Sequence, residues 1–148
     1  MKLDILLFTA IIPGAILNTI GLGDTAIMRI FKVKGFIKWA RKERLSDSAL
    51  LEAVAEMRQG LIDARLGCGV CKKRIGIAGR GKRGGVRTIV AFQSDKHTFF
   101  MYGFTKNERD NIDQQELKGL RVYADKLLEL KEAQIEVLVK AGELFEVR

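Results

Sequence analysis

The sequence predicts an α+β fold, with an N-terminal strand and a helical hairpin packed on an antiparallel sheet and C-terminal helices behind it. Three observations carry this. Apolar residues recur at helical spacing before residue 61 and after residue 117, whereas residues 70–104 read as strands rich in β-branched and aromatic side chains. The three strand-like stretches are consecutive and joined by short turns, which makes a meander and argues against a doubly wound sheet. At 148 residues, 47% apolar with one proline, the chain suits one domain with its own core, or one domain with an appendage.

Residues 1–27 differ in character from the rest of the chain. Ile5 to Gly23 is almost wholly apolar, which raises a signal peptide or membrane anchor. Against both, Lys2 is offset by Asp4, Pro13, Gly14 and Asn18 interrupt the run, and no small-x-small cleavage site follows. An extra core element is a third reading. The favoured one is that translation naturally starts at Met28, which divides the chain into an apolar extension, 1–27, and a domain, 28–148.

Within that domain, Ile30-Phe31-Lys32-Val33 reads as a short strand. Phe36 to Arg44 reads as a helix with Phe36, Trp39 and Ala40 inward and Lys38, Arg41 and Lys42 outward. Ser46 is placed to cap a second helix, Asp47 to favour its dipole and Gly60 to end it, with Leu50, Val54, Met57 and Leu61 on one face. Val70–Ile77, Val86–Gln93 and Thr98–Phe104 are the predicted strands, the last two joined through Gln93-Ser94-Asp95-Lys96. Phe100, Tyr102 and Phe104 are expected on one face by their period of two. Leu117, Leu120, Ala124, Leu127 and Leu128 mark a helix, and Ile135, Leu138 and Val139 a shorter one ending at Gly142.

The net charge is +8, and residues 1–27 contribute −1 of it, so the domain carries +9. Between Ala64 and Ser94 there are eight Lys or Arg and no acid. Like charges at this density repel, and a polyanion is the simplest partner that offsets the repulsion; nucleic acid is the commonest one. A solvated sheet face with a basic hairpin loop is the plain alternative. In a strand, Lys72 and Arg74 project to one side and Lys73 to the other, while Arg87 on the next strand can join the Lys72/Arg74 row. A guanidinium among ammonium groups suits a phosphate.

Other motifs carry less. Cys68-x-x-Cys71 with His97, the single histidine, gives three ligands where a structural zinc needs four, so the two cysteines read as reduced thiols of a cytosolic protein. Gly79-x-Gly81-x-x-Gly84 satisfies a dinucleotide fingerprint, but Val86-Arg87-Thr88-Ile89-Val90 continues as strand where that motif needs a helix. The near P-loop fails because Arg83 follows Lys82 where Ser or Thr belongs. Lys106-Asn107-Glu108-Arg109 reads equally as a helix start and as the edge of a phosphate site.

Taken together, Lys72-Lys73-Arg74, Gly81-Lys82-Arg83-Gly84-Gly85-Val86-Arg87 and Tyr102-Gly103-Phe104-x-Lys106-Asn107-Glu108 resemble the RelE/HigB family of type II toxin–antitoxin toxins, over about Met28 to Leu130. The resemblance implies a RelE-like fold and a cytoplasmic toxin that enters the ribosomal A site and cleaves mRNA, inhibiting translation. It implies no metal or other cofactor, no membrane for residues 28–148, and a cognate antitoxin of helix-turn-helix type. The ribose 2′-hydroxyl attacks the neighbouring phosphate while cations offset charge on its oxygens. Carried over by position, Arg87 is the transition-state stabiliser, Lys72, Lys73 and Arg74 form the basic strand that positions phosphate, and Lys106 is the basic residue after the strand. Arg80, Lys82, Arg83 and Arg109 are assigned to RNA binding. Asn107 stands where the RelE branch has a second arginine, and that branch's C-terminal tyrosine falls near Asp113, so the general base is open among a lysine, His97 and Glu108. The rival reading is a non-enzymatic inhibitor of DNA gyrase, as in the ParE branch; a third is a basic nucleic-acid-binding module without chemistry.

Overall fold

The computed structural model describes residues 27–79 and 81–148, so the readings of residues 1–26 and of Arg80 lie outside the described residues. The elements run β1 (Ile30–Val33), α1 (Lys34–Lys42), α2 (Asp47–Arg58), β2 (Ala64–Gly67), β3 (Val70–Ile77), β4 (Gly81–Ala91), β5 (Thr98–Thr105), α3 (Gln114–Leu128), α4 (Glu132–Lys140) and β6 (Leu144–Glu146). They form one mixed sheet in the order β2-β3-β4-β5-β1-β6. The fold is α+β, as the sequence predicts. The meander β2 to β5 is antiparallel, β1 lies parallel to β5, and β6 closes the edge antiparallel to β1.

The helix signal at Ser46 acts as expected, whereas Leu61 lies past the end of α2 and is exposed. Ser46 Oγ accepts from Ala49 N–H at 3.1 Å and caps α2. At α3 the cap is Asp113, which accepts from Glu116 N–H at 2.8 Å while Glu116 accepts from Asp113 N–H at 3.0 Å. This reciprocal box satisfies two of the N–H groups a helix start leaves open. Lys106–Arg109 is therefore not the helix start; it is a turn folded back on Thr105, whose hydroxyl accepts from Glu108 N–H at 3.2 Å.

The hairpin α1–α2 covers one face of the sheet and α3 the other, across β3, β4 and β5. Gly103 lets α1 sit close. A Cβ there would lie 2.1 Å from Trp39 Cζ3, so only glycine admits the indole. The expected alternation of β5 fails one step earlier. Ile89 pairs with Tyr102 but Val90 pairs with Phe100, leaving Met101 as a bulge. Phe100 consequently turns to the α1 face, its ring 5.6 Å from Phe36, while Tyr102 and Phe104 take the other. A strict period of two cannot register the extra residue.

The C-terminal elements are tied to β1 by Arg29. Its guanidinium donates to Glu146, Glu132 and Glu136 at 2.8–3.1 Å, and its backbone N–H donates to His97 Nδ1 at 2.8 Å. His97 Nε2 also meets Glu132. His97, a general-base candidate in the sequence, is thus a partly buried tie from the start of β5 to Arg29 before β1 and to Glu132 of α4.

Candidate active site

On β3 and β4, Arg74 lies opposite Arg87 and Lys72 opposite Ile89; on β5, Phe104 lies opposite Arg87 and Tyr102 opposite Ile89. Directly paired residues share a face. Two rows therefore run side by side on the face away from the helical hairpin: Arg74-Arg87-Phe104 and Lys72-Ile89-Tyr102.

Arg87 is the unusual member. It is 9% exposed, and its Nη1 is buried with no hydrogen-bond partner among the described residues. Facing Arg74, a second guanidinium, it meets like charge where cross-strand pairs favour opposite charge. A buried polar atom without a partner costs about 1–3 kcal/mol, and more when charged. An anion lying between the two guanidiniums would supply acceptors to both.

The backbone around Arg87 is drawn tight. Ile75 pairs with Val86 and Ile77 with Gly81, so β4 carries extra residues against β3. Within that bulge a Cβ on Gly85 would lie 2.0 Å from the Ile75 carbonyl oxygen, so glycine is required two residues before Arg87.

The other cations are placed differently. Lys73 is not in the row. It points to the α2 face, 3% exposed, donating to Leu61 O at 2.8 Å and pairing with Glu56 at 2.7 Å. Its own carbonyl accepts from Thr88 Oγ1 at 2.9 Å. Alternation separates it from Lys72 and Arg74, and burial fixes it to a carboxylate.

Arg109 is also held. Its guanidinium donates to both oxygens of Glu116, at 2.5 and 2.8 Å, to Tyr102 Oη at 3.2 Å, and through Nε to Asn111 O at 2.9 Å. The pairing with Glu116 raises the Arg109 pKa, and Arg109 in turn holds the Glu116 carboxyl down at about 2. Arg109 thus clamps the first turn of α3 to Tyr102, at the β5 end of the Lys72 row. Glu116 escaped the sequence reading, although Asp113-x-x-Glu116 is a capping-box signal, and Tyr102 was read there only for packing and as part of the family motif.

Lys106 lines a separate cleft of about 370 Å³ with Lys42, Glu43, Gly84, Gly85, Thr105, Asn107 and Glu108. Arg87 is not among the lining residues. Arg80 and the side chains of Lys82 and Arg83 lie outside the described residues. Of the weak general-base candidates, Glu108 is engaged with Thr105 Oγ1 at 3.0 Å, and His97 is tied to Arg29 and Glu132. Cys68 is exposed in the β2–β3 turn and Cys71 buried, where desolvation raises its thiol pKa. No described helix is long and apolar enough to cross a membrane.

The arrangement is thus a sheet face with one exposed and one buried guanidinium facing each other and a lysine in the next row, fit to hold a phosphodiester. A family model described as the RelE toxin of the RelE / RelB toxin-antitoxin system matches residues 28–147. No curated protein matches the chain.

Proposed function

We propose that this chain, which belongs to the RelE toxin family of toxin–antitoxin systems, is a ribosome-dependent mRNA endoribonuclease that stabilises its transition state through Arg87. Membership brings a cognate antitoxin as partner. The observation that carries the enzymatic reading is the buried, unpartnered Nη1 of Arg87 across from Arg74. An inhibitor that worked only by binding a protein surface would have no use for a buried guanidinium nitrogen left without an acceptor among the described residues.

The chemistry of this reading is the one the RelE/HigB resemblance implies. The 2′-hydroxyl oxygen attacks the adjacent phosphorus, the P–O5′ bond breaks, and a 2′,3′-cyclic phosphate and a 5′-hydroxyl result. Charge grows on the non-bridging oxygens as the attack proceeds. Arg87, fixed on a central strand and largely shielded from water, donates to them without reorganising. Arg74 and Lys72 hold the phosphate in register. A proton leaves the 2′-hydroxyl and one reaches the 5′ oxygen; Lys72 is the amine on this face, and Tyr102 Oη, already accepting from Arg109, has its own proton free to donate. Lys73, buried on the far side with Glu56, holds the strand that carries Lys72 and Arg74. Lys106 belongs to the rim beside Gly84 and Gly85 of β4. The cell compartment in this reading is the cytoplasm, where the ribosome and mRNA are met, and the antitoxin is of the helix-turn-helix type.

Primer extension on a reporter mRNA after brief induction tests this. Cuts phased with codons and dependent on translation are the expected result. Intact mRNA with growth arrest would replace this reading with gyrase inhibition.

A further inference from the structure

We propose that the cleft between the end of α2 and the β2–β3 hairpin binds a nucleoside monophosphate, at a site separate from the phosphate site at Arg87. The first observation is Arg65. Of the basic residues between Ala64 and Ser94, Lys72, Lys73, Arg74 and Arg87 have places on β3 and β4, and Arg80, Lys82 and Arg83 belong to the glycine-rich stretch. Arg65 is the one left over. It stands on β2 opposite Cys71, so it shares the face of Cys71 and Lys73, the side of α2. Burial raises the Cys71 pKa and the Arg65 charge acts against that rise, so the guanidinium's field falls on the cleft lining.

Arg58 reaches the same cleft from the last turn of α2. Both arginines are exposed and form no ion pair among the described residues. Arg58 also offsets the negative end of the helix dipole, a use that Arg65 on its strand does not have. Two guanidiniums lining one cleft repel each other and suit a phosphate, which each can hold through paired hydrogen bonds.

The rest of the lining asks for more than a phosphate. The cleft holds about 560 Å³, larger than the one at Lys106 and within the roughly 300–1,000 Å³ of small-ligand sites. Met57, Val70 and Phe92 supply apolar surface, and Gln93, Ser94 and Asp95 supply an amide, a hydroxyl and a carboxylate. These three side chains make no hydrogen bond among the described residues. An amide both donates and accepts, as a base edge requires, and a carboxylate accepts from ribose hydroxyls. Asp95 would repel a bare anion, which counts against a simple phosphate site. The hairpin wall is also fixed in advance. A Cβ on Gly69 would lie 2.4 Å from Leu128 Cδ1, and Arg121 Nε donates to Leu66 O at 2.7 Å, so the hairpin is seated on α3. A ligand entering a preformed cleft loses little affinity to ordering it. Val70 and Arg74, the partner of Arg87, are four residues apart on β3, about 13 Å, and the two sites use opposite faces.

The test titrates the full chain by calorimetry with the 5′-monophosphates of adenosine, guanosine, cytidine and uridine. At least one should bind with a Kd below about 1 mM. Arg58→Gln/Arg65→Gln should weaken it about tenfold or more, with the melting temperature unchanged because both side chains are exposed. Arg87→Ala should change it less than about twofold, and Gln93→Ala should narrow the differences among the four bases. The nucleoside alone and inorganic phosphate alone should each bind about tenfold more weakly than the nucleotide. A short 5′-phosphorylated RNA distinguishes the source. Affinity no better than that of the free nucleotide assigns the cleft to free nucleotides; tighter binding that the double variant loses assigns it to an RNA end. The proposal is overturned if no nucleotide binds below about 1 mM. It is also overturned if Arg87→Ala abolishes binding while the double variant keeps it, which returns the ligand to the site at Arg87. Binding is read here and not cleavage, so failure of the nuclease reading leaves this site standing.

Discussion

Lys73 and Arg87 sit one residue out of register on neighbouring strands, both buried and both cationic, yet they face opposite sides of the sheet. On the hairpin side, Lys73 has a carboxylate at 2.7 Å and a carbonyl at 2.8 Å. On the other side, Arg87 has a buried Nη1 with no acceptor among the described residues and a second guanidinium opposite. A buried charge with a good partner contributes to the fold; one without a partner detracts from it. The density of basic residues does not separate the two. What separates them is whether the protein supplies the counter-charge itself or leaves that to a ligand.

Substitutions should break this comparison in opposite directions. Arg87→Ala should lower the rate of mRNA cleavage by about 100- to 1000-fold, the usual loss when one transition-state donor is removed, read by quantitative primer extension. Lys73→Ala should instead destabilise the fold by about 3 kcal/mol, since it removes the buried ammonium that Glu56 faces, read as the shift in urea midpoint. Any activity Lys73→Ala loses should return in proportion to its folded fraction.

A second pair of effects sharpens the account of how the site is held. Gly103→Ala should cost about 2 kcal/mol, because the added Cβ meets the Trp39 ring at 2.1 Å and α1 must shift. The double variant with Trp39→Ala should recover part of that loss in thermal melts. The Arg109–Glu116 clamp should give the smallest effect. Glu116 titrates at about 2 in the fold, below its ordinary value near 4.5, so its contribution is present above about pH 4.5 and is lost as pH falls towards 2. Both side chains are partly exposed, which limits the contribution to about 1 kcal/mol. The stability difference between wild type and Glu116→Gln should therefore be full at pH 6 and vanish near pH 2, with Asp113 still capping the helix in both.

Much of this was legible in the sequence because it depends on local pattern. Periodicity located α1, α2, α3, α4, β1, β3 and β5, and alternation alone put Lys72 and Arg74 on one side, Lys73 on the other, with Arg87 beside the former. What escaped depends on partners distant in the chain. β6 is three residues long and exists through its pairing with β1, more than a hundred positions earlier. β2 holds Ala, Gly and Arg, with weak strand preference, and is set by β3. The Met101 bulge moved Phe100 to the other face without a proline or glycine at that step to announce it. The roles of Lys73 and Arg109 followed the same logic, because Glu56, Leu61 and Glu116 decide them and composition shows none of these contacts.

The most direct test replaces Arg87 with methionine, similar in length but uncharged, and measures melting temperature and codon-phased cleavage on the same preparation. The account predicts a melting temperature equal to or above that of the wild type, since a like-charge contact and an unpaired buried polar atom are removed, together with loss of the cuts. A variant that melts well below the wild type while still cutting mRNA would contradict it, because Arg87 would then be serving the fold as Lys73 does.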